Sequence, residues 1–233
     1  MIYTNIVEGF FIDRPNRFIA NVDINGAIET VHVKNTGRCR EILIPGARVI
    51  LERAKNENRK TKYSLIAVYK GDMLINIDSQ VPNLVAYEGV LNGKIEEVGI
   101  PAFLKREVRY GNSRFDLYFE DGDRRGFIEV KGATLEIDKV VKFPDAPTKR
   151  GTKHVYELID AASNGFEAYV LFIIQMKGVE HFEPNTIMDK AFGEALYKAA
   201  NSGVKILAYQ CNVVENGIEI DSSVPCSINI EPS

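Results

Sequence analysis

Arg114–Lys131 reads RFDLYFEDGDRRGFIEVK, and this stretch decides how the region around it folds. Runs rich in strand formers flank Glu120-Asp121-Gly122-Asp123-Arg124, a polar, Gly-containing segment that predicts a hairpin turn. With the turn centred on Gly122 and Asp123, the antiparallel register sets Glu120 opposite Arg125, Phe115 opposite Val130, Asp116 opposite Glu129 and Arg114 opposite Lys131. Side chains alternate along a strand, so Arg114, Asp116, Glu129 and Lys131 share one face. Phe115, Leu117, Phe119, Ile128 and Val130 cover the other and read as core.

Directly opposed carboxylates lie roughly 5 Å apart, and like charges so placed destabilise a sheet unless something sits between them. A divalent cation resolves that conflict, since hard cations such as Mg²⁺ take one or two carboxylates completed by water and substrate phosphate. Arg114 opposite Lys131 poses the mirror-image problem, which a phosphate relieves. The alternative is a solvated strand face whose long side chains splay apart.

Outward from the hairpin, the segment Ala102 to Tyr110 predicts the strand that enters it. Ala168 to Gln175 is a continuous apolar run of strand length, expected to be a central strand buried on both faces, with Gln175 able to reach the carboxylates from its end. Phe143 to His154 is a loop by its two prolines and carries the cations Lys149, Arg150 and Lys153. Helix-patterned Val155, Leu158, Ile159 and Ala162 follow. Ile187 to Ala200 predicts a second amphipathic helix and Val204 to Val214 another strand. Strand, hairpin, helix, strand, helix, strand is an α/β pattern with a mixed sheet.

The first 80 residues are different. Val7–Ile12, Phe18–Ile24, Ile28–Val33, Val49–Arg53, Leu65–Tyr69 and Met73–Ile77 are short strand-like runs separated by turn residues, with Asn25-Gly26 a hairpin signal. They predict a small all-β barrel or sandwich. The pattern changes near Ser79–Pro82, which divides the chain into residues 1–81 and 82–233, and Asn83–Leu91 has helical spacing.

Composition narrows the class. Of 233 residues 45% are hydrophobic, enough for one large core or two small ones. The three cysteines, Cys39, Cys211 and Cys226, are odd in number and lack metal-site spacing, which favours a reducing cytoplasm over a disulfide framework. No apolar run is long enough to cross a membrane. The net charge of −3 argues against blanket affinity for nucleic acid. Basic residues nevertheless outnumber acidic ones in residues 1–80 and 101–155, and the acidic excess lies in 177–233.

Asp116 followed by Glu129-Val130-Lys131 resembles the active-site signature of the PD-(D/E)xK nuclease superfamily. Narrower words, namely Ser113-Arg114-Phe115-Asp116, Glu129-Val130-Lys131-Gly132, Phe143-Pro144-Asp145-Ala146-Pro147-Thr148 and Asn35-Thr36-Gly37-Arg38, resemble the sugar fermentation stimulation protein A family over nearly the whole chain. The resemblance implies an OB-type barrel followed by a nuclease-like mixed-sheet domain, with DNA, read without strong sequence specificity, as the partner. It also implies Asp116 and Glu129 as ligands of Mg²⁺ or Mn²⁺, with the Val130 carbonyl beside them, and Lys131 as the third catalytic residue. Candidate nucleic-acid contacts are Asn35, Thr36, Arg38 and Arg40 in the barrel, and Arg114, Lys149, Arg150, Lys153 and His154 near the hairpin. Glu88 and Glu107 are open candidates for a further acid. A non-catalytic DNA-binding regulator of sugar (maltose) metabolism genes is the alternative, and homo-oligomerisation is left open.

Overall fold

The computed structural model describes residues 1–35, 37–56 and 58–228. Thr36, one of the candidate contacts, lies outside the described residues. Six strands come first: β1 (Ile6–Asn16), β2 (Ile19–Ile24), β3 (Ala27–Val33), β4 (Arg48–Arg53), β5 (Tyr63–Lys70) and β6 (Met73–Asn76). They pair in the order β3-β2-β1-β4-β5-β6, and a parallel contact between β3 and β5, His32 with Ser64 and Val33 with Leu65, closes β1 to β5 into a barrel. The β2–β3 turn is the two-residue Asn25-Gly26, both at positive φ (53° and 83°), as a right-twisted hairpin requires. Register shifts along β1 between Phe11 and Asn16 bend it around the barrel corner. Inward positions, among them Phe11, Val22, Val31, Val49, Leu51 and Leu65, are buried.

The second part contains α1 (Pro82–Leu91), β7 (Phe103–Tyr110), β8 (Ser113–Asp121), β9 (Arg124–Ala133), β10 (Leu135–Ile137), β11 (Val140–Phe143), α2 (Lys149–Ser163), β12 (Glu167–Ile174), β13 (His181–Pro184), α3 (Lys190–Ala200), β14 (Val204–Val214) and β15 (Gly217–Ser223). The main sheet runs β15-β14-β12-β9-β8-β7, with β9, β12 and β14 parallel and antiparallel hairpins at both edges. This is the expected mixed sheet, with the apolar run at its centre. Along β12, Ala168, Val170, Phe172 and Ile174 pack on the α2/α3 side, and Tyr169, Leu171 and Ile173 on the α1 side. A small sheet, β10-β11-β13, stands apart.

The two parts meet in a dry seam and a polar one. Ile50, Ile66 and Ala67, on the outside of the barrel, join the cluster of Val81, Val85, Ile128 and Val130. Burying each of the Ile and Val side chains stabilises by about 1.5–3 kcal/mol. In the polar seam, Gln175 donates to Asn76 Oδ1 (2.9 Å) and to the Asp78 carbonyl (3.2 Å). Residues 1–3 lie against the second part, with Ile2 bridging Gly217 and Tyr3 buried.

The hairpin ladder pairs Asp121 with Arg124, Glu120 with Arg125 and so on to Leu117 with Ile128, and there it ends. The expected pairs Asp116–Glu129, Phe115–Val130 and Arg114–Lys131 are absent from it. The Asp116 carboxylate itself takes the Val130 amide (Oδ2, 2.8 Å), in place of a strand carbonyl. On the other side, Glu107 adopts φ 56° between the pairs Arg106–Leu117 and Val108–Phe115. The strand turns over at this point. Phe115 therefore packs with Tyr110, Phe127 and the His154 ring on the α2 side, while Leu117 and Phe119 keep to the α1 side.

Two further expectations are corrected. The segment before Val155 is not all loop, because α2 starts at Lys149, where Thr148 caps it by accepting from the Gly151 amide (3.1 Å). Lys149, Arg150, Lys153 and His154 are therefore helical. The second predicted helix starts at Lys190, capped by Asp189, and Ile187 ahead of it is 95% exposed.

Candidate metal centre

Odd positions of β9 face α2, and this brings Glu129 and Lys131 beneath that helix. Glu129 is 2% exposed. Its Oε1 receives both Lys131 Nζ (2.5 Å) and His154 Nδ1 (2.5 Å). Its Oε2 is buried without a hydrogen-bond partner. Asp116 stands where β8 turns over, its Oδ2 on the Val130 amide and its Oδ1 on Asn83 Nδ2 (2.6 Å). Asn83 is the second residue of α1, placed there by Pro82 at the first position, where a missing amide costs the helix nothing.

The two carboxyls are pushed in opposite directions. Burial raises Asp116 above its ordinary value and the charge on Glu129 adds to this, against the Val130 amide, Lys131 and Asn83. Burial also works to raise Glu129, but the bonds from His154 and Lys131 outweigh it and hold that carboxyl below its ordinary value. The donor set is oxygen-rich and anionic, with one bare buried carboxylate oxygen. An ionised oxygen left so costs on the order of 1–3 kcal/mol or more, and a hard cation is the group it fits. Among the described residues no three or more His, Cys, Asp or Glu side chains form a metal cluster. Two carboxylates with a backbone carbonyl and water still suit Mg²⁺, which keeps several waters, better than a cation that demands a full protein cage.

The other candidates lie elsewhere. Glu88 bonds the Met1 amino group (2.7 Å), and Glu107 reaches Arg114 (3.5 Å) on the exposed side of β7, so neither joins the carboxylates. The amide nitrogen of Gln175 is spent on the polar seam. Lys149, Arg150 and Lys153 line the first turns of α2; Lys153 reaches Glu157 (3.5 Å) and Arg150 Nε approaches His154 Nε2 (3.5 Å). His154, expected as a phosphate contact, is 6% exposed and belongs to the carboxylate cluster. In the barrel, both ends of the Asn35 side chain are used, on the Ile77 carbonyl (2.8 Å) and the Gly37 amide (2.7 Å). Arg38 and Arg40 line an open cavity of about 500 Å³ together with Arg14, Arg17 and Ala146 from the loop before α2.

Asn83 and Arg14 are missed by sequence reasoning. Arg14 donates to the carbonyls of Arg17, Asn35, Gly37 and Arg38, and so shapes the loop that presents the exposed arginines. An Asn behind a helix-starting Pro was the one available signal for Asn83; nothing local marks Arg14.

The model of the "Sugar fermentation stimulation protein RE domain" matches residues 80–217, and that of the "SfsA N-terminal OB domain" matches residues 12–77. The chain belongs to the sugar fermentation stimulation protein family. A homologue from Clostridium botulinum (strain Loch Maree / Type A3) is 57% identical over 230 residues, covering 98% of this chain and 99% of the relative. One from Alkaliphilus oremlandii (strain OhILAs) is 53% identical over 229 residues, covering 96% and 97%. Among solved structures, SfsA of Pyrococcus furiosus, described as a complex with Ca²⁺, superposes with a TM-score of 0.86 at 28% identity, over 97% of this chain and 98% of that one. The family thus joins the closed barrel, as an OB domain, to the mixed-sheet domain that carries Asp116 and Glu129. Among the described residues no helix is long and apolar enough to cross a membrane. The three cysteines are unpaired, and burial pushes the Cys39 and Cys226 thiols up to about 12, which suits inert packing.

Proposed function

We propose that this protein is a metal-dependent phosphodiesterase that acts on DNA, with the barrel adding backbone affinity. The observation that carries the reading is the Glu129 carboxylate: Oε1 is saturated by Lys131 and His154, while Oε2 is buried and bare, and the charge on Glu129 is close enough to raise Asp116. Asp116, Glu129 and the Val130 carbonyl would hold Mg²⁺ or Mn²⁺. The relative from Pyrococcus furiosus, described with Ca²⁺, supports a hard cation in this family. When bound, such an ion would polarise a phosphoryl oxygen and make a water more acidic.

The chain's own residues do the rest. Asn83 and the Val130 amide hold both Asp116 oxygens and so fix the carboxylate plane. Lys131, largely buried with its ammonium on Glu129, stands where it can orient a water or meet charge developing on an attacked phosphate. Exposed Arg38, Arg40, Lys149 and Lys153 can hold flanking phosphates, with affinity that falls steeply with salt.

The test is incubation of purified protein with single-stranded, duplex and branched DNA, and with RNA, across Mg²⁺ and Mn²⁺. Metal-dependent product on a DNA substrate is expected. Retained binding without product under every metal would replace this reading with the non-catalytic regulator.

A further inference from the structure

We propose that His154 is a positioning residue that dedicates the two oxygens of Glu129, one to the protein and one to the cation; this rests on the metal-site reading above. The terminal torsion of a glutamate is broad, so packing alone does not fix the plane in which its carboxylate meets a ligand. Here both donors converge on Oε1, Lys131 Nζ and His154 Nδ1 each at 2.5 Å. A structural Glu–His–Lys cluster would lower its energy by sharing its two donors between the two oxygens. This one instead leaves Oε2 buried and unpartnered, an arrangement that a bound cation explains and a purely structural role does not.

The His154 ring is itself held on three sides. Arg150 Nε approaches Nε2 at 3.5 Å. A carboxylate can only accept, so Nδ1 carries the proton toward Glu129 Oε1. The Phe115 ring meets the imidazole nearly perpendicular, at 82° and 6.4 Å between centroids. The backbone is fixed in the second turn of α2, whose buried face also carries Val155 and Leu158. Phe115 reaches the ring because β8 turns over at Asp116, so the irregularity that turns the Asp116 carboxylate onto the Val130 amide also seats the residue that aims Glu129. Outer partners of this kind typically change metal affinity 10- to 100-fold when removed.

The experiment is a calorimetric Mn²⁺ titration of the full chain and of His154→Asn, His154→Leu and His154→Ala, with a thermal melt of each. Asparagine places an amide N–H where imidazole Nδ1 stands, whereas leucine keeps volume and removes the donor. His154→Asn is expected to bind within about threefold of the parent, and His154→Leu and His154→Ala about 10- to 100-fold more weakly, including for any variant that melts no lower than His154→Asn. Parental affinity in His154→Leu or His154→Ala overturns the inference, as does a His154→Asn that binds as weakly as either. No Mn²⁺ binding by the parent would overturn the metal site itself, a distinct failure.

Discussion

Gly132 directly follows the catalytic candidate Lys131, and Gly132→Ala tests whether the site depends on the seam behind it. A Cβ built there falls 2.6 Å from Pro82 Cγ and 2.6 Å from Gln175 Oε1, each about an ångström inside ordinary contact. Neither neighbour yields cheaply. Pro82 is a rigid ring at the start of α1, and Gln175 is tethered to Asn76 and the Asp78 carbonyl. Overpacking of this kind costs about 1–3 kcal/mol, which for a chain of this length lowers the melting temperature by roughly 2–12 °C. If α1 yields by shifting outward, Asn83 moves with it and Asp116 loses its Oδ1 partner, so Mn²⁺ affinity falls as well. Thermal melts and Mn²⁺ titrations of parent and variant read the two effects. A variant that melts and binds like the parent would refute the tight packing of β9 on α1 and the coupling drawn from it.

Other perturbations separate the parts. Replacing Arg38 and Arg40 by alanine should flatten the salt dependence of DNA binding by roughly one slope unit per lost phosphate contact; an unchanged slope would remove the barrel loop from the interface. Lys131→Ala should abolish cleavage while weakening DNA binding only slightly, and Lys149→Ala with Lys153→Ala should do the reverse, read by single-turnover cleavage and equilibrium binding on one substrate. At the far end of β12, the hydrogen bond from Arg124 holds the Glu167 carboxyl at about 2, below its ordinary 4.5, although burial opposes this. A depressed folded value gives stability that is complete above 4.5 and lost as pH falls toward 2. Melting temperature should therefore drop less steeply through that window in Arg124→Gln than in the parent, and parallel curves would contradict the assignment.

The short strands of the first part were legible because turn residues such as Asn25-Gly26 separate them, while their closure into a barrel rather than a sandwich came from the family resemblance. The central strand was legible because Ala168–Ile174 is apolar without a break. Asp116, Glu129 and Lys131 were brought together by the hairpin and by the family words, yet by a different geometry from the one a regular ladder implies. Alternation counts backbone pairs; it cannot foresee a carboxylate taking an amide from the ladder, as Asp116 does with Val130. The start of α2 was hidden because the cations at Lys149, Arg150 and Lys153 oppose the helix dipole and the prolines precede a cap read as loop. Strands of three or four residues, such as Leu135–Ile137 and Val140–Phe143, carry too little pattern to be read alone. Asn83 and Arg14 act through contacts distant in sequence, which no local motif records.

The most direct measurement is a Mn²⁺ titration of the parent beside Asp116→Asn and Glu129→Gln, with melts to follow the fold. Each change removes charge and almost no volume. The parent should take up Mn²⁺ and both variants should bind it far more weakly. Equal affinity in all three proteins would contradict the paired-carboxylate site.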